Sequence, residues 1–266
     1  SMPIPIPDGD FFLTDKDLEF CDEDPNRFLP DGSYADDTAR ITPRQHFTFT
    51  RSRGFNDADG VRQHKNEITS FLDASVVYGS DQKTADELRS FDNGKLKIDS
   101  KGLLHTTEQR EGKGFLAGDT RATENPLLSS LQTLWVREHN RICDELSSKN
   151  NGLSDEQLYQ KARIKVMGLL QHITYNEFLP AVLGDDALTD YKGYDENTNP
   201  GIFNEFAAAA YRFGHSMISD TVAKREHDGS VSDGGDIHLR DAFFNIQVLQ
   251  QSGIDTVLRG ASLQQA

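Results

Sequence analysis

Three short stretches hold the residues whose types and spacing could do chemistry. The first is EFAAAAYRFGHSMI, residues 205–218. It reads as a helix with a run of alanines, in which Tyr211, Arg212, His215 and Ile218 share one side at about 100° per residue. Phe203, Phe206, Ala207, Ala210 and Met217 make a neighbouring apolar side. Gly214 lets something bulky approach the backbone beside the His215 imidazole. A neutral imidazole is a good axial ligand for iron, and an arginine one turn back could hold a carboxylate of the same ligand. The plainer alternative is a histidine satisfied within the fold.

The second stretch is FLAGDTRATENP, residues 115–126. Arg121 and Glu124 lie three apart, so in a helical turn they share a face, either as a surface ion pair or as two groups turned towards a ligand. The third is TSFLDAS, residues 69–75. Thr69, Asp73 and Ser75 offer side-chain oxygens and Phe71 a carbonyl, at alternate positions that suit a hard cation such as calcium. Ser, Thr and Asp also cap turns, and one carboxylate is thin for calcium without help from elsewhere.

The elements that must position these groups are mostly helices. RQHKNEITSFLDASVVYGS is a helix candidate ending in a turn at Gly79, and GKLKIDSKGLLHT reads as a small hairpin. The run from Asn125 to Lys149 starts with Asn125 as N-cap and Pro126 at the first helical position. Leu127, Leu128, Leu131, Leu134, Trp135, Ile142 and Leu146 give it an apolar face, and Arg141–Glu145 is an i,i+4 pair. Ser154 and Gln157 match a capping box, and the helix they open should stop before Pro180. Residues 1–60 are rich in Pro, Asp and Gly with little periodicity; DEDPNRFLPDGSYADDTARITPRQ reads as a long surface loop, and HFTFTRSRGF alternates like a short extended piece. REHDGSVSDGGD is a Gly/Asp-rich loop, and the end of the chain is helix, turn and a further segment. The fold class is therefore mainly α, with irregular connections and little β.

Composition narrows the function. With 28 basic and 43 acidic residues among 266, the formal net charge is −15, which argues against nucleic acid as a partner. No run approaches the roughly 18 apolar residues of a membrane span. The opening SMPIPIPDGD has neither a basic n-region nor an apolar core, so it is no intact signal peptide, and its Ser-Met reads as a cloning remnant. Two cysteines, Cys21 and Cys143, make neither a disulfide framework nor a zinc ribbon. A bridge between them stays open as an alternative, while Cys143, on an apolar helix face, reads as a small buried hydrophobe.

Taken in order, TSFLDASVVYGS, FLAGDTRATENP, TLWVREHNRI, ITYNEFLPAVLG and YRFGHSMI resemble the animal-type haem peroxidases of the peroxidase–cyclooxygenase superfamily. IPIPDGD near the start and GIDTVLRG near the end are similar as well, so the likeness runs through most of the chain, with residues 11–45 looking like an inserted surface loop. The resemblance implies a helical haem peroxidase domain with long irregular loops. It implies haem b and calcium as cofactors, hydrogen peroxide as substrate, and halides, thiocyanate or small phenols as electron donors. His215 matches the ligand of the haem iron, and Arg212 the arginine that pairs with a haem propionate. Arg121 matches the distal arginine, Glu124 the glutamate that esterifies a haem methyl, and Thr69, Phe71, Asp73 and Ser75 the calcium loop. It further implies a secreted, extracellular protein with no membrane span.

The chain also departs from the family's pattern. Asn125 stands where some mammalian members carry a methionine linked to haem, so no such link is expected. Gln132 stands where they have a histidine. Few cysteines, and no Asn-x-Ser/Thr acceptor, look more like a bacterial member. The family's distal histidine lies upstream of IPIP, so this chain is expected to be the middle of the domain, with other segments of the same parent protein as partners. Asp15-Lys16-Asp17-Leu18 echoes the distal segment but has Lys in place of the histidine, and it takes no role. The missing histidine motivates an alternative: a non-catalytic adhesion or structural module that keeps the fold.

Overall fold

The computed structural model describes residues 2–5, 46–49, 54–109 and 112–264. The expected inserted loop at 11–45 and Cys21 lie outside these residues. The chain divides into two compact units, 1–65 and 66–266.

In the first unit, strand β1 (Met2–Pro5) pairs antiparallel with β2 (His46–Phe49), with Met2 opposite Phe49 and Pro5 opposite His46. Prolines at alternate positions 3 and 5 remove N–H donors from one edge of β1 only, which leaves the other edge free to pair. A second ladder joins β3 (Phe55–Asn56) to β4 (Arg62–Gln63). The Asp57 carboxylate closes its turn, accepting from Asp59 N, Val61 N and Gln63 Nε2 at 3.1, 2.8 and 2.8 Å. The extended piece read in HFTFTRSRGF is thus present at His46–Phe49 and Phe55–Asn56.

The second unit is helical. Its elements are α1 (Ser75–Tyr78), α2 (Gln82–Leu88), the hairpin β5 (Thr106–Gln109) and β6 (Gly112–Phe115), and a 3-10 turn at Thr120–Thr123. The long helices α3 (Pro126–Lys149) and α4 (Asp155–Ile173) follow. After them come α5 (Leu179–Leu183), α6 (Asn204–Ala208), a 3-10 run at Ala210–Met217, and the ladder of β7 (Thr221–Val222) with β8 (Ile237–His238). The last two helices are α7 (Leu239–Ala242) and α8 (Gln247–Leu263), the latter broken at Gly253. Helix α3 is the centre, packing against both α4 and α8.

Several expectations hold. Asn125 caps α3 by accepting from the backbone of Leu127 and Leu128, and Pro126 follows it. The capping box of Ser154 and Gln157 forms in both directions. Arg141 reaches Glu145 at 3.0 Å. Cys143 is fully buried, and burial pushes its thiol up to about 11.

Other expectations are corrected. The helix expected over RQHKNEITSFLDASVVYGS shrinks to Ser75–Tyr78, although Gly79 does end it at φ 78°. Upstream, Asn66, Thr69 and Asp73 each accept the backbone N–H two residues on, and these local turns outcompete a helix. The hairpin expected in GKLKIDSKGLLHT lies instead at Thr106–Phe115. In the earlier stretch Leu96 is bridged antiparallel to Arg89 on one edge, and on the other it pairs through both N–H and C=O with the Asn140 side chain, at 2.8 and 3.0 Å.

Pro180 does not end the α4 rod. A π turn at Thr174–Phe178 widens the helix just ahead of it, and Pro180 sits in the first turn of α5. The wide turn makes room for a ring that has no N–H to donate. On α3, Leu128, Leu131 and Leu134 are exposed. The buried side is mixed: Ser129, Ser130, Gln132, Thr133, Val136, His139, Asn140, Ile142 and Cys143.

That mixed face binds loops by hydrogen bonds. Arg137 Nε donates to Gly102 O at 2.7 Å and His139 Nε2 to Gly94 O at 2.8 Å. Arg89 is sunk against this layer, with its guanidinium 4.0 Å from the centre of the Tyr159 ring and ion-paired to Asp155 and Glu156. Burial, and to a lesser degree the charge of Arg89, push His139 down to about 4 from 6.5. The folded state therefore holds His139 neutral while the unfolded chain takes up a proton below pH 6.5. This group costs no stability above pH 6.5, and the fold loses about 3 kcal/mol as pH falls from there to about 4. Denaturant unfolding across that window, in wild type and in His139→Gln, checks this: the variant should show the shallower fall, and equal slopes would contradict it.

Candidate functional site

The residues singled out by sequence lie in three places. Arg121 sits in the 3-10 turn Thr120–Thr123, which is fixed at every step. Asp119 caps it by accepting from Arg121 N at 2.9 Å, Thr123 Oγ1 accepts from Phe115 N at 2.9 Å, and Ser129 Oγ donates to Ala122 O at 2.5 Å. Gly118, just before it, lies on the backbone of α1: a Cβ there would stand 2.5 Å from Ser75 O and 2.6 Å from Gly79 N. Only glycine allows that approach.

The Arg121 guanidinium does not pair with Glu124, as a shared helical face would have it. It forks onto Asp119, with Nε and Nη2 at 3.0 and 2.6 Å from the two carboxylate oxygens. The fork holds Asp119 below the usual carboxylate range and raises Arg121 further, with Glu124 adding a smaller through-space push. Arg121 is thus a fixed, permanent cation with its side chain still 66% exposed. Glu124 is half-buried and anchored by its carbonyl, which accepts from Phe244 N at 3.1 Å. The role of Asp119 was missed by the sequence reading, although an aspartate two residues before an arginine at a turn was the available signal.

His215 and Arg212 belong to a different surface. The single helix expected over 205–218 is broken at Ala209 (φ −132°, ψ −68°) and continues as a 3-10 run. Residues three apart eclipse in such a run, so Arg212 and His215 stand in line along one edge. Arg212 Nε donates to Ala207 O at 3.2 Å. The His215 imidazole is exposed and has no hydrogen-bond partner among the described residues. A Cβ added at Gly214 would meet nothing within 4 Å.

The surroundings are uncovered. Between Val166 and Val222 no residue is buried. Phe203 is 80% exposed, and Phe206, Tyr211, Phe213 and Met217 stand open beside the histidine. An apolar wall of this size is unusual on a protein surface and calls for a large apolar occupant. A flat apolar ring system with a metal centre and acidic edges fits the imidazole, the guanidinium and the aromatic wall together. The residues present therefore fit haem. No hydrogen bond or ion pair among the described residues joins the His215–Arg212 group to the Arg121–Glu124 group.

The third place is the Thr69–Ser75 loop. Thr69 Oγ1 accepts from Phe71 N and Asp73 Oδ1 from Ser75 N, at 3.1 and 3.0 Å. The capping use of these side chains is thus realised. Asp73 is the one carboxylate of the four residues, and no group of three or more His, Cys, Asp or Glu gathers among the described residues.

The sequence pattern of the family described as animal haem peroxidase matches residues 6–266. The chain belongs to the animal haem peroxidase family. Among its relatives, the human protein called probable oxidoreductase PXDNL is 36% identical over 268 residues, covering 90% of this chain and 18% of that protein. The peroxidasin homolog pxn-1 of Caenorhabditis elegans is 38% identical over 224 residues, covering 75% of this chain and 17% of that protein. The solved structure of peroxidase A from Dictyostelium discoideum superposes with a TM-score of 0.70 at 26% identity, over 83% of this chain and 47% of that one. The chain thus spans less than a fifth of these two curated relatives and about half of the solved peroxidase. The mainly α fold is shared with that structure. No described helix is long and apolar enough to cross a membrane.

Proposed function

We propose that the protein carrying this chain is a secreted haem peroxidase. It consumes hydrogen peroxide and oxidises halides, thiocyanate or small phenolic donors. The reading is carried by one observation: an exposed imidazole, His215, with no hydrogen-bond partner among the described residues, set in an exposed aromatic wall with Arg212 in line beside it.

When bound, haem supplies the redox chemistry that reduces peroxide and oxidises the donor. The chain's own residues bind and orient. His215 would hold the iron through its imidazole. Arg212, now bonded to the Ala207 carbonyl, would pair with a haem carboxylate, a stronger, charge-assisted partner. Arg121, locked by Asp119, offers a fixed cation to the negative charge that develops on peroxide oxygen. Glu124 is the carboxylate available for an ester to the ring. Thr69, Phe71, Asp73 and Ser75 contribute four oxygens to calcium, which takes about six to eight, so further ligands come from elsewhere in the protein.

The test uses the full-length parent, loaded with haem and given hydrogen peroxide with iodide, thiocyanate or a phenol. Donor oxidation is expected, falling about 100-fold or more in Arg121→Ala. Haem that resists acid-acetone extraction in wild type, but not in Glu124→Gln, reports the ester. A haem-loaded parent that oxidises no donor would instead support a non-catalytic adhesion or structural module. Recovery of the parent from the medium rather than the cells tests secretion.

A further inference from the structure

Behind the Arg121 turn lies a group that the proposed chemistry leaves unused. Tyr78, the last residue of α1, is completely buried, as is His139 in the middle of α3. The Tyr78 hydroxyl is 2.8 Å from His139 Nδ1, and His139 Nε2 is 2.8 Å from Gly94 O. A carbonyl can only accept, so Nε2 carries the proton and Nδ1 presents its lone pair. Tyr78 O–H is therefore the donor, aimed at a neutral base. Tyr159 closes the cluster edge-on, 5.9 Å from Tyr78 and 5.5 Å from His139 between ring centres. Gly118, three residues ahead of Arg121, rests on the α1 backbone at Gly79, so the cluster adjoins the turn that carries Arg121.

We propose that Tyr78 and His139 form a proton-coupled redox site, in which the buried phenol stores one oxidising equivalent. A one-electron oxidant, of the high-potential kind that a peroxide-treated haem provides, takes an electron from the Tyr78 ring and is itself reduced by one electron. The O–H bond breaks and its proton passes along the existing hydrogen bond to His139 Nδ1, forming an N–H bond. The products are a neutral phenoxyl radical and an imidazolium whose Nε2–H stays on the Gly94 carbonyl. An oxidised phenol is a far stronger acid than an imidazolium, so the transfer runs downhill even to a desolvated base. Without that acceptor the oxidation would leave a positive charge on a buried phenol, which is costly. One electron from a small donor returns the site to rest, as His139 Nδ1 hands its proton back to the phenoxyl oxygen; where the donor is a phenol, its own proton leaves to solvent. The proposal rests on the peroxidase reading only for the natural source of the oxidant.

A haem-free test separates the two. The 266-residue chain is oxidised by a flash-excited ruthenium polypyridyl complex with a sacrificial electron acceptor, and frozen for electron paramagnetic resonance after ascorbate is added. Ascorbate quenches radicals on the exposed Tyr175, Tyr191, Tyr194 and Tyr211. The expected result is an ascorbate-resistant tyrosyl signal that is lost in Tyr78→Phe. It should also be lost in His139→Gln, whose amide can accept from Tyr78 and donate to Gly94 but is no base. Should Tyr78→Phe fail to fold, His139→Gln alone decides. No resistant signal in wild type, or an undiminished one in either folded variant, would overturn the proposal and leave the pair as a packing contact only.

Discussion

Gly260→Ala is expected to cost the second unit most of its stability. Gly260 lies in α8, within the GIDTVLRG stretch, where the helix runs against residues 222–224. A methyl group there would fall on the Ala223 carbonyl and 3.1 Å from Lys224 N. These are backbone atoms, and they cannot swing aside. The same contact is stitched on both sides: Arg225 N donates to Thr256 O at 3.0 Å and Arg259 Nη1 to Arg225 O at 3.2 Å. Helix and strand would have to part, losing those bonds and the burial of Val222, Ile254 and Val257. Ordinary overpacking costs about 1–3 kcal/mol, and a clash with fixed backbone should exceed that. Loss of a cooperative thermal transition, or a fall of several kcal/mol in unfolding free energy, is the expected readout. A variant within about 1 kcal/mol of wild type would mean that α8 does not sit this close.

His139→Ala should be nearly as severe, for a different reason. The imidazole links three elements: it accepts from Tyr78 in α1, donates to the Gly94 loop and stands on α3. Its removal leaves a buried hydroxyl without its acceptor, a loss of about 1–3 kcal/mol, and a Gly94 carbonyl that keeps only the weak Cys143 thiol as donor. It also opens a cavity against Tyr159 and Cys143. The expected loss is about 3–5 kcal/mol, a large part of a domain's usual margin. His139→Gln should recover much of it. If alanine and glutamine variants melt together, the hydrogen bonds are not what holds the three elements.

Sequence alone revealed the helices whose ends are written locally. Asn125-Pro126 and Ser154 with Gln157 are capping signals that act within four residues, and they formed as expected. What it concealed were outcomes decided at a distance. The Leu128–Leu131–Leu134 stripe looked like the core face of α3, but the loops at 89–104 claim the opposite side, where His139, Asn140 and Arg137 bind their backbone. The same competition removed the hairpin from GKLKIDSKGLLHT, since Leu96 is held by Arg89 on one edge and by the Asn140 side chain on the other. Local turns at Asn66, Thr69 and Asp73 dismantled a helix whose apolar spacing was otherwise acceptable. In the candidate site, the residue types were legible and the pairings were not. Arg121 was visible, but its lock onto Asp119 was hidden behind a more familiar i,i+3 pair with Glu124. His215 and Arg212 were read on a 3.6-residue helix and stand in line on a 3-10 run instead, because the chain breaks at Ala209.

Whether His215 binds haem iron is read from a haemin titration of the 266-residue chain, followed by its Soret absorbance with His215→Ala alongside. Saturable binding with an imidazole-ligated spectrum is expected in wild type, and loss of that spectrum in the variant even if some haemin still adheres to the exposed wall of Phe203, Phe206 and Phe213. A Soret band and affinity unchanged by His215→Ala would contradict iron binding by His215.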